Sequence, residues 1–495
     1  MRARHALTLT LLASVLIGCA DEPPAYLPEL DSLHAHPLPT WFDDAKLGII
    51  IHWGPYSVPG WASHEFSPNE NLSEGYWAAN PYAEWYQNTL RIGGSATAVY
   101  HDATWGADVA YEDFGPMFEE QSAGWDASDW ARTFAAAGAR YAVLTTKHHD
   151  GYLLWPSRVR GAPRAAWFSE RDLVGEFVNA SRAEGLRVGL YYSGGLDWTF
   201  TTEPIESYSG FFDTPLGPAY ADYVDGHLRE LVRRYRPDLI WNDVGSPAEF
   251  DRLAFFAHYY NQVPDGVLNN RWAQGGLEVA LSVAATEQLA RSQLRQTQFD
   301  FYGAEYQQVA LSGLKFELVR AIGDSFGYNR ADAESDAPVL TPLEAIALLV
   351  EVASKNGNLS LGVGPRADGS IPEEQLAVLT GLGEWMAVNG VAIHGTRPWI
   401  QDAGAATAAG SAAPTARFTT RRTADGDLEE LYVFVYDLDV SEPSVRVAGI
   451  PAGFVDVRRL DGEVVTASPD ASDVAFESPG GFPPGAVTTI ALRYR

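Results

Sequence analysis

Carboxylate side chains that follow short apolar runs are the residues of this chain best placed to do chemistry. Asp243 ends the run Asp-Leu-Ile-Trp-Asn-Asp at residues 238–243, which is typical of a buried strand whose last residues meet solvent. A carboxylate there is a candidate nucleophile or general base. An Asp that closes a strand is also a common helix cap, so the other strand ends decide its role.

Polar and aromatic residues follow the other apolar runs too, at residues 51–54, 147–151 and 191–195. Their His, Tyr and Trp side chains offer neutral donors and acceptors beside flat apolar rings, as a sugar-binding cleft requires. The adjacent His148 and His149 are also candidate metal ligands. Neighbouring side chains of an extended segment point in opposite directions, however, and no further ligand spacing completes a set. We therefore expect no metal and no cofactor.

A carboxylate nucleophile acting on a sugar needs a second carboxyl group, which protonates the leaving oxygen and later activates water. Glu305, Glu317 and Glu84 are the candidates, and spacing along the chain does not choose among them. Glu305 and Glu84 both stand among aromatic residues. Aromatic neighbours exclude water and raise the pKa of a carboxyl group, which suits an acid at neutral pH.

Strand-like runs alternate with amphipathic helical patterns from Trp41 to about Ile393. The predicted strands are Leu47–His52, Tyr141–Thr146, Arg187–Tyr192, Leu239–Trp241 and Asn358–Val363. The predicted helices include Asp172–Glu184, Ala219–Arg234 and Pro342–Lys355. This alternation predicts an α/β fold, a (β/α)8-like TIM barrel, in residues 39–393. The pattern does not reveal all eight strands, particularly between residues 270 and 300. Residues 54–120 are an aromatic-rich insertion after the first strand, which we expect to form the walls of a cleft.

The alternation of strand and helix patterns ends at about Thr396. Residues 404–414 are rich in Ala, Gly and Ser and predict a loop, whereas Glu430–Tyr436 and Ser444–Val447 predict strands. Turn signals such as Asp425-Gly426 separate them. We expect residues 394–495 to form a C-terminal β-sandwich domain.

The N-terminus has the pattern of an export signal. Arg2 and Arg4 precede an apolar run too short to span a bilayer stably, and residues 1–18 are predicted to be a signal peptide. The run ends in Leu-Ile-Gly-Cys, which resembles the bacterial lipobox and makes Cys19, the only cysteine of the chain, a candidate for lipidation. An ordinary signal peptide with a chance cysteine is the alternative. Residues 19–38, rich in Pro and acidic residues, would tether the protein to the cell envelope, at the outer membrane or in the periplasm.

Composition limits the partners. The formal net charge of the 495 residues is −29, which disfavours nucleic acid and anionic lipid surfaces because phosphates need Lys and Arg for neutralisation. Contact with a membrane is therefore expected through the N-terminal lipid anchor only. A homo-oligomer remains open, with the C-terminal domain as a candidate contact.

Several segments carry a family resemblance. They are residues 41–42, 46–54, 137–141, 147–152, 191–198, 241–243, 270–272, 325–329, 354–365 and 368–369. In this order, over about residues 40–400, they resemble glycoside hydrolase family 29, the α-L-fucosidases, in its bacterial form. The resemblance implies a retaining hydrolase that removes terminal α-L-fucose from glycans through a covalent intermediate, on a barrel followed by a β-domain.

The resemblance also implies roles for particular residues. Asp243 matches the nucleophile, and Glu305 matches the acid/base of members with an Ala-Glu-Tyr segment. The residues that match sugar-binding or cleft positions are His52, Tyr82, Glu84, Trp85, His148, His149, Tyr191, Trp241, Arg271 and Phe326. Tyr82 and Phe326 would form the apolar wall around the methyl group of fucose.

Three positions depart from the family pattern. Ile50 stands beside the methyl pocket where many members have Phe, Gly362 replaces a usual Asn, and His394 stands where Tyr is common. Ile50 stays apolar, so we expect the pocket to survive with a different shape. Ile50 leaves open the same scaffold acting on another glycon, galactoside- or arabinoside-like. A second alternative, from a different class, is a non-catalytic glycan-binding lipoprotein.

Overall fold

The computed structural model of the protein describes residues 26–212, 217–274, 286–333, 339–470 and 473–495. The first sheet has eight parallel strands in the order β5-β4-β3-β2-β1-β8-β7-β6. These strands are β1 Leu47–Ile51, β2 Tyr141–Lys147, β3 Arg187–Ser193, β4 Leu239–Asp243, β5 Val267–Leu268, β6 Tyr302–Glu305, β7 Phe316–Ala321 and β8 Gly357–Val363. The α/β barrel prediction is confirmed.

The sheet closes between its edge strands β5 and β6. An isolated parallel bridge joins Asn269 to Phe301. Asp300 donates its backbone N–H to the Leu268 carbonyl at 2.9 Å, and its Oδ2 accepts the Leu268 N–H at 2.7 Å. The Leu268 carbonyl and N–H are therefore paired by the backbone and the side chain of Asp300, respectively. These two hydrogen bonds complete the barrel beyond the two-residue strand β5.

Helices connect the strands and cover the barrel. They are α1 Leu30–Leu33, α2 Thr40–Ala45, α3 Tyr86–Arg91, α4 Ala96–Thr104, α5 Phe114–Ser122, α6 Ala127–Ala136, α7 Leu173–Ala183, α8 Tyr208–Phe212, α9 Pro218–Tyr235, α10 Arg252–Gln262, α11 Glu287–Leu294, α12 Pro342–Ser354 and α13 Glu373–Asn389. Local sequence sets their starts: Asp172 caps α7 by accepting the Gly175 N–H at 2.9 Å, and Thr341 and Glu344 form a capping box on α12.

The five predicted strands and three predicted helices lie within two residues of the observed bounds. The strands that were not legible are β5, β6 and β7, and they lie outside the stretch 270–300 where the gap was expected. Strand β5 is too short to show a pattern. Strands β6 and β7 carry Gly303, Glu305, Glu317 and Arg320, which interrupt the apolar run typical of a buried parallel strand.

The C-terminal region forms a second, antiparallel sheet in the order β13-β16-β11-β10-β9-β12-β15-β14. Its strands are β9 Arg397–Thr407, β10 Thr415–Arg422, β11 Leu428–Tyr436, β12 Glu442–Ala448, β13 Asp456–Arg459, β14 Thr466–Asp470, β15 Asp473–Phe482 and β16 Thr488–Arg493. The long β9 pairs with both β10 and β12, and the strands fold over a common apolar core as a sandwich.

The loop predicted at residues 404–414 is wrong in its first part. Residues 404–407 belong to β9, where Gly404 pairs with Ala416 and Ala406 with Val447. Small residues there let two neighbouring strands approach, since a Cβ on Gly404 would lie 2.7 Å from the Phe418 ring. Composition alone suggested a loop because Ala and Gly are depleted in strands.

The sandwich packs on the last barrel helices. Trp385 of α13 donates its Nε1–H to the Val487 carbonyl at 3.1 Å, and Thr419 donates to the Ala392 carbonyl at 2.6 Å. The domain boundary predicted after residue 393 stays a prediction, although α13 ends at Asn389 and β9 begins at Arg397. Cys19 and the predicted signal peptide lie outside the described residues. Within those residues, no helix is both long and apolar enough to cross a membrane.

The interior of the barrel contains one buried carboxyl group that ties several strands together. Glu317 of β7 accepts the Tyr141 hydroxyl at 2.5 Å and the Trp241 Nε1–H at 2.8 Å. Burial raises the pKa of Glu317 to about 7, although these hydrogen bonds and Arg271 act to lower it. Both oxygens of Glu317 therefore already accept hydrogen bonds from barrel side chains, which is typical of a structural residue.

We expect Glu317→Gln to flatten part of the pH dependence of stability. The folded protein binds the Glu317 proton more tightly than the unfolded chain does, whose ordinary pKa is 4.5. The wild type therefore loses stability relative to the variant as pH rises from 4.5 to about 7, and no further above that. Urea unfolding of both proteins at several pH values measures the difference between their free energies of unfolding. The other titratable groups are the same in both proteins, so their contributions cancel in this difference. Parallel stability curves would contradict the assignment.

Candidate active site

Two carboxylates and one guanidinium group form the centre of the site, at the carboxyl ends of the barrel strands. Arg271 donates from Nη1 to Asp243 Oδ1 at 2.9 Å and from Nη2 to Glu305 Oε2 at 2.8 Å. The Tyr191 hydroxyl donates to Asp243 Oδ2 at 2.6 Å, and the Tyr82 hydroxyl donates to Glu305 Oε1 at 3.2 Å. Asp243 and Glu305, the two catalytic candidates from the sequence, therefore face the same cation.

The charges of this centre are mutually stabilised. Burial opposes ionisation of Asp243, but Arg271 and the Tyr191 hydroxyl lower its pKa below the ordinary value. Burial likewise opposes the charge of Arg271, but Glu305 and Asp243 raise its pKa. The Trp241 ring lies 4.8 Å from the guanidinium carbon and adds a cation–π contact. Asp243 is thus held ionised, as a nucleophile must be.

Both carboxylate strands end abruptly. Val244, after Asp243, has a φ of 57°, and Tyr306, after Glu305, has a φ of 52°. This left-handed conformation is strained for a β-branched residue such as Val. The Asp243 carbonyl accepts the N–H groups of Gly194 and Gly195 at 3.1 and 3.3 Å. A Cβ on Gly195 would lie 1.8 Å from the Val244 oxygen, so only glycine allows this turn.

An inner cavity in the mouth of the barrel gathers the predicted nucleophile, the predicted acid/base Glu305 and every predicted sugar-binding residue. Its lining residues are Ile50, His52, Tyr82, Glu84, Trp85, His148, His149, Tyr191, Trp241, Asp243, Arg271, Glu305, Val319 and Phe326. Val319 is the one member that the sequence analysis missed, because it lies on β7, whose pattern was not legible. The cavity brings the predicted residues together, while their individual roles remain predictions.

Three buried histidines line the inner cavity in their neutral form. Burial lowers the pKa of His52 and His149 to about 3, and it lowers the pKa of His148 well below the ordinary value. Nδ1 of His52 and Nδ1 of His148 are buried without a hydrogen-bond partner among the described residues. Neutral imidazoles with free nitrogens are suited to bind hydroxyl groups.

The expectation that His148 and His149 point in opposite directions is wrong. Their ring centroids are 3.9 Å apart, and both rings line the inner cavity. Strand β2 ends at Lys147, so the alternation of a strand no longer applies to the next two residues. Within the described ranges, no group of three or more His, Cys, Asp or Glu side chains is arranged to hold a metal ion.

The hydrogen bonds of His149 fix its tautomer. Ser193 donates its hydroxyl to the Leu196 carbonyl at 2.7 Å and therefore accepts the Nδ1–H of His149, also at 2.7 Å. Nε2 of the neutral ring then carries no proton, and it lies 3.9 Å from Asp243 Oδ2. At neutral pH this contact is not an ion pair, and Nε2 is an acceptor for a ligand hydroxyl beside Asp243.

Glu84 lies deep in the inner cavity. Its Oε2 accepts the Gly327 N–H at 2.8 Å and the Ser325 hydroxyl at 3.0 Å. Burial raises the pKa of Glu84 to about 7, against the lowering effect of these hydrogen bonds. Glu84 therefore has the protonation range of an acid, but it does not line the larger space outside the inner cavity.

One corner of the inner cavity is apolar. Ile50 and Phe326 are buried there beside the Tyr82 ring, whose centroid is 5.9 Å from that of Phe326. Ile50 pairs in register with Gly362, so two of the three departures from the family pattern are cross-strand neighbours. A Cβ at Gly362 would lie 2.6 Å from the Phe326 ring. Glycine at this position thus lets Phe326 pack against β8.

A second, outer cavity opens above the inner one. Both are lined by Tyr82, Trp85, His149, Asp243, Arg271 and Glu305. The residues that line only the outer cavity are Pro68, Asn69, Asn71, Tyr76, Trp77, Asn80, Tyr208, Val244, Tyr306 and Gln307. Most of them were not singled out from the sequence. The only signal was the aromatic content of the 54–120 insertion, which does form part of the cleft wall as expected.

The match to known proteins is extensive. A family model described as Alpha-L-fucosidase matches residues 15–391. The chain is 33% identical over 425 residues to the tissue alpha-L-fucosidase of Homo sapiens, covering 81% of this chain and 79% of the human protein. It is also 33% identical over 394 residues to an alpha-L-fucosidase of Dictyostelium discoideum, covering 76% of this chain and 75% of that protein.

Solved structures of alpha-fucosidases also resemble this chain. The fold is similar to crystal structures of Thermotoga maritima alpha-fucosidase in complex with a mechanism-based inhibitor and in complex with fucose. The TM-scores are 0.79 and 0.77, both at 36% identity, and both alignments cover 94% of this chain and 100% of the other. With the family model matching most of the chain, this protein belongs to the α-L-fucosidases of glycoside hydrolase family 29 and is a glycoside hydrolase.

Proposed function

We propose that this protein is an exo-acting, retaining α-L-fucosidase that removes terminal α-L-fucose from glycans through a covalent glycosyl-enzyme intermediate. The observation that carries the proposal is the arrangement of Asp243 and Glu305 about Arg271, where the inner cavity meets the outer one. The inner cavity takes the terminal sugar, and the glycosidic oxygen lies at the junction.

The reaction proceeds by two displacements. In the first, an Asp243 oxygen forms a bond to the anomeric carbon while the bond to the leaving oxygen breaks and Glu305 supplies the proton that this oxygen needs. In the second, Glu305 takes a proton from water, whose oxygen attacks the anomeric carbon and releases the Asp243 carboxylate. Both substitutions invert the centre, so the product keeps the α configuration.

Glu305 fits the acid/base role better than Glu84 because of its position. Glu305 lines both cavities, whereas Glu84 lines only the inner one. A proton donor must reach the leaving group, which extends into the outer cavity. Glu84 then binds hydroxyl groups of the sugar, together with the neutral histidines and Tyr191.

Substituting Asp243 by Gly or Ala is expected to lower kcat by several orders of magnitude, because no other group replaces the nucleophile. Azide should fit the space left and attack the anomeric carbon directly, forming the β-configured fucosyl azide. Proton NMR of the products measures the configuration, and the wild type should release α-L-fucose first. Asp243→Asn, which fills the space, serves as the control that azide does not rescue. An α-configured azide product from the Gly variant would remove Asp243 from the nucleophile role.

Glu305→Ala is expected to slow hydrolysis of natural fucosides by about 10²–10⁴-fold. The first step on aryl fucosides with good leaving groups should be far less affected, because such groups leave without protonation. Burst kinetics on a nitrophenyl fucoside measures this step. Added azide should restore turnover and give the α-configured azide, since it attacks the covalent intermediate. Equal losses on both substrate types would exclude Glu305 as the acid, and Glu84→Ala is the matched comparison.

The departures Ile50 and Gly362 favour a second candidate, action on a related glycon by the same mechanism. They reshape the apolar corner that would hold the methyl group of fucose. An apolar patch rejects an added hydroxyl only by about a hundredfold. The Asp243 experiment separates the candidates when it is run on nitrophenyl α-L-fucoside, β-D-galactoside and α-L-arabinoside together. Binding of fucose without turnover of any of them would indicate the non-catalytic lipoprotein.

We also propose that the protein is exported and held to the cell envelope through acylated Cys19, a proposal supported by the lipobox-like sequence before it. Cys19→Ala is expected to abolish incorporation of a labelled fatty acid in cells and to shift the protein from the membrane to the soluble fraction. Its kinetics should not change, since the tether precedes the barrel. Labelling that persists in the variant would refute lipidation at this residue. The oligomeric state stays open to measurement by light scattering.

A further inference from the structure

A third cavity lies at the amino ends of the barrel strands, opposite the active site, and we call it the basal cavity. It is bounded by the end of α6, by α13 and by strand β10 of the sandwich. Its polar side chains are those of Arg140, which directly precedes β2, His394 and Arg421. Because the candidate catalytic residues stand at the carboxyl ends of the strands, the basal cavity is separate from the site described above.

Small residues keep the basal cavity open. Ala and Gly make up six of its eleven lining residues. They let α6 and α13 pack closely, since a Cβ on Gly383 would collide with the Ala136 carbonyl oxygen. The short side chains at this junction leave a recess that the arginine and histidine side chains border.

The two arginines carry a charge that no carboxylate of the lining neutralises. The chain has 64 Asp and Glu against 35 Lys and Arg, yet no acidic residue is among the described residues that line the basal cavity. Arg140 is exposed and has neither an ion pair nor a side-chain hydrogen bond to another described residue. Arg421 donates to the Val391 carbonyl at 3.2 Å, and its cross-strand neighbour Glu430 is already paired with Arg458.

His394 shows that the surroundings are positive. Its Nδ1 carries a proton, because it donates to the Ala45 carbonyl at 2.8 Å. Burial, followed by the charges of Arg140 and Lys46, lowers the pKa of His394 to about 4, against the raising effect of hydrogen bonds to backbone carbonyls. The ring is therefore neutral at neutral pH, and the positive charge that an anion would meet in the cavity is that of the two arginines.

We propose that the basal cavity binds a phosphate-type oxyanion between Arg140 and Arg421. A guanidinium group is a planar fork of donors that fits such an oxyanion through parallel N–H···O bonds. Two of these cations match the charge of about −1.5 to −2 that a phosphate group carries at pH 7. Arg140 belongs to the barrel and Arg421 to the sandwich, so the bound anion would join the two domains. The proposal does not depend on the fucosidase reaction.

Such an oxyanion has two sources, free phosphate in solution and the phosphate of a lipid headgroup. The chain enters the barrel at the same face, where Tyr26 donates its N–H to Asn261 at 2.8 Å and Trp41 donates its Nε1–H to the Asp265 carbonyl at 2.8 Å. Acylation of Cys19, as proposed above, would keep this face near the membrane. The net charge of −29 opposes approach to an anionic lipid surface, so we expect the free ion.

Isothermal titration calorimetry of the purified protein with inorganic phosphate tests the site. We expect one phosphate per chain. Arg140→Gln and Arg421→Gln should each raise the Kd about tenfold or more, because each removes a charge-assisted hydrogen bond. Arg132→Gln is the matched control, since Arg132 lies on the same helix α6 but pairs with Asp129 and does not line the cavity. It should bind phosphate as the wild type does.

Thermal unfolding in phosphate gives a second readout, in which the wild type and Arg132→Gln should gain more in Tm than the two cavity variants. An equal gain in all four proteins would be a general salt effect and would overturn the site.

Vesicles distinguish the two sources of the oxyanion. The Cys19→Ala protein is sedimented with vesicles of phosphatidic acid or of phosphatidylcholine, with and without Arg140→Gln. Binding to phosphatidic acid that Arg140→Gln abolishes, without binding of free phosphate, would assign the ligand to a lipid headgroup. Binding of inorganic phosphate alone would assign it to the free ion, and binding of neither would overturn the proposal.

Discussion

The organisation of this active site depends on one buried guanidinium group. Arg271 pairs with Asp243 on β4 and with Glu305 on β6, two strands that lie on either side of the point where the barrel closes. Burial opposes ionisation of a carboxyl group, and a neighbouring cation offsets that cost. Arg271, which pairs with both carboxylates, lowers the pKa of Asp243 and so holds it ionised.

The three histidines of the inner cavity are uncharged. His52, His148 and His149 are neutral because burial removes the water that would stabilise their cations. A positive imidazole beside Asp243 would stabilise the carboxylate and weaken it as a nucleophile. Neutral rings with unpartnered nitrogens are instead suited to bind hydroxyl groups.

The backbone also helps to position the two carboxylates of the centre. Val244 and Tyr306 both adopt a left-handed conformation directly after a carboxylate, and each ends its strand so that the side chain before it stays at the rim of the barrel. The Gly194–Gly195 turn supports the first of these bends by hydrogen bonds to the Asp243 carbonyl. The strain at Val244 is held by packing of its side chain in an apolar cluster with Trp85, Leu196 and Trp198.

The sequence by itself determined the class of fold and the chemistry at the strand ends. Long apolar strands such as β1, β2 and β3 and the capped helices between them are set by local pattern, and polar residues after parallel strands must meet at one edge of the sheet. Asp243, Glu305 and the sugar-binding candidates were identified through that rule and a family resemblance, and the inner cavity collects them all. The pattern failed at β5, which is too short, and at β6 and β7, where Glu305, Glu317 and Arg320 interrupt the apolar run.

The tertiary structure alone decided what each candidate carboxyl group contacts. Spacing along the sequence did not choose among Glu84, Glu305 and Glu317, because their partners come from positions up to 243 residues away. Folding directs Glu317 to Tyr141 and Trp241, Glu84 to the backbone of Gly327, and Glu305 to Arg271 at the mouth of the site. The path of the 54–120 insertion, and with it the outer cavity, was also not legible, because a long loop is positioned by its contacts with the barrel and not by a period in its own residues.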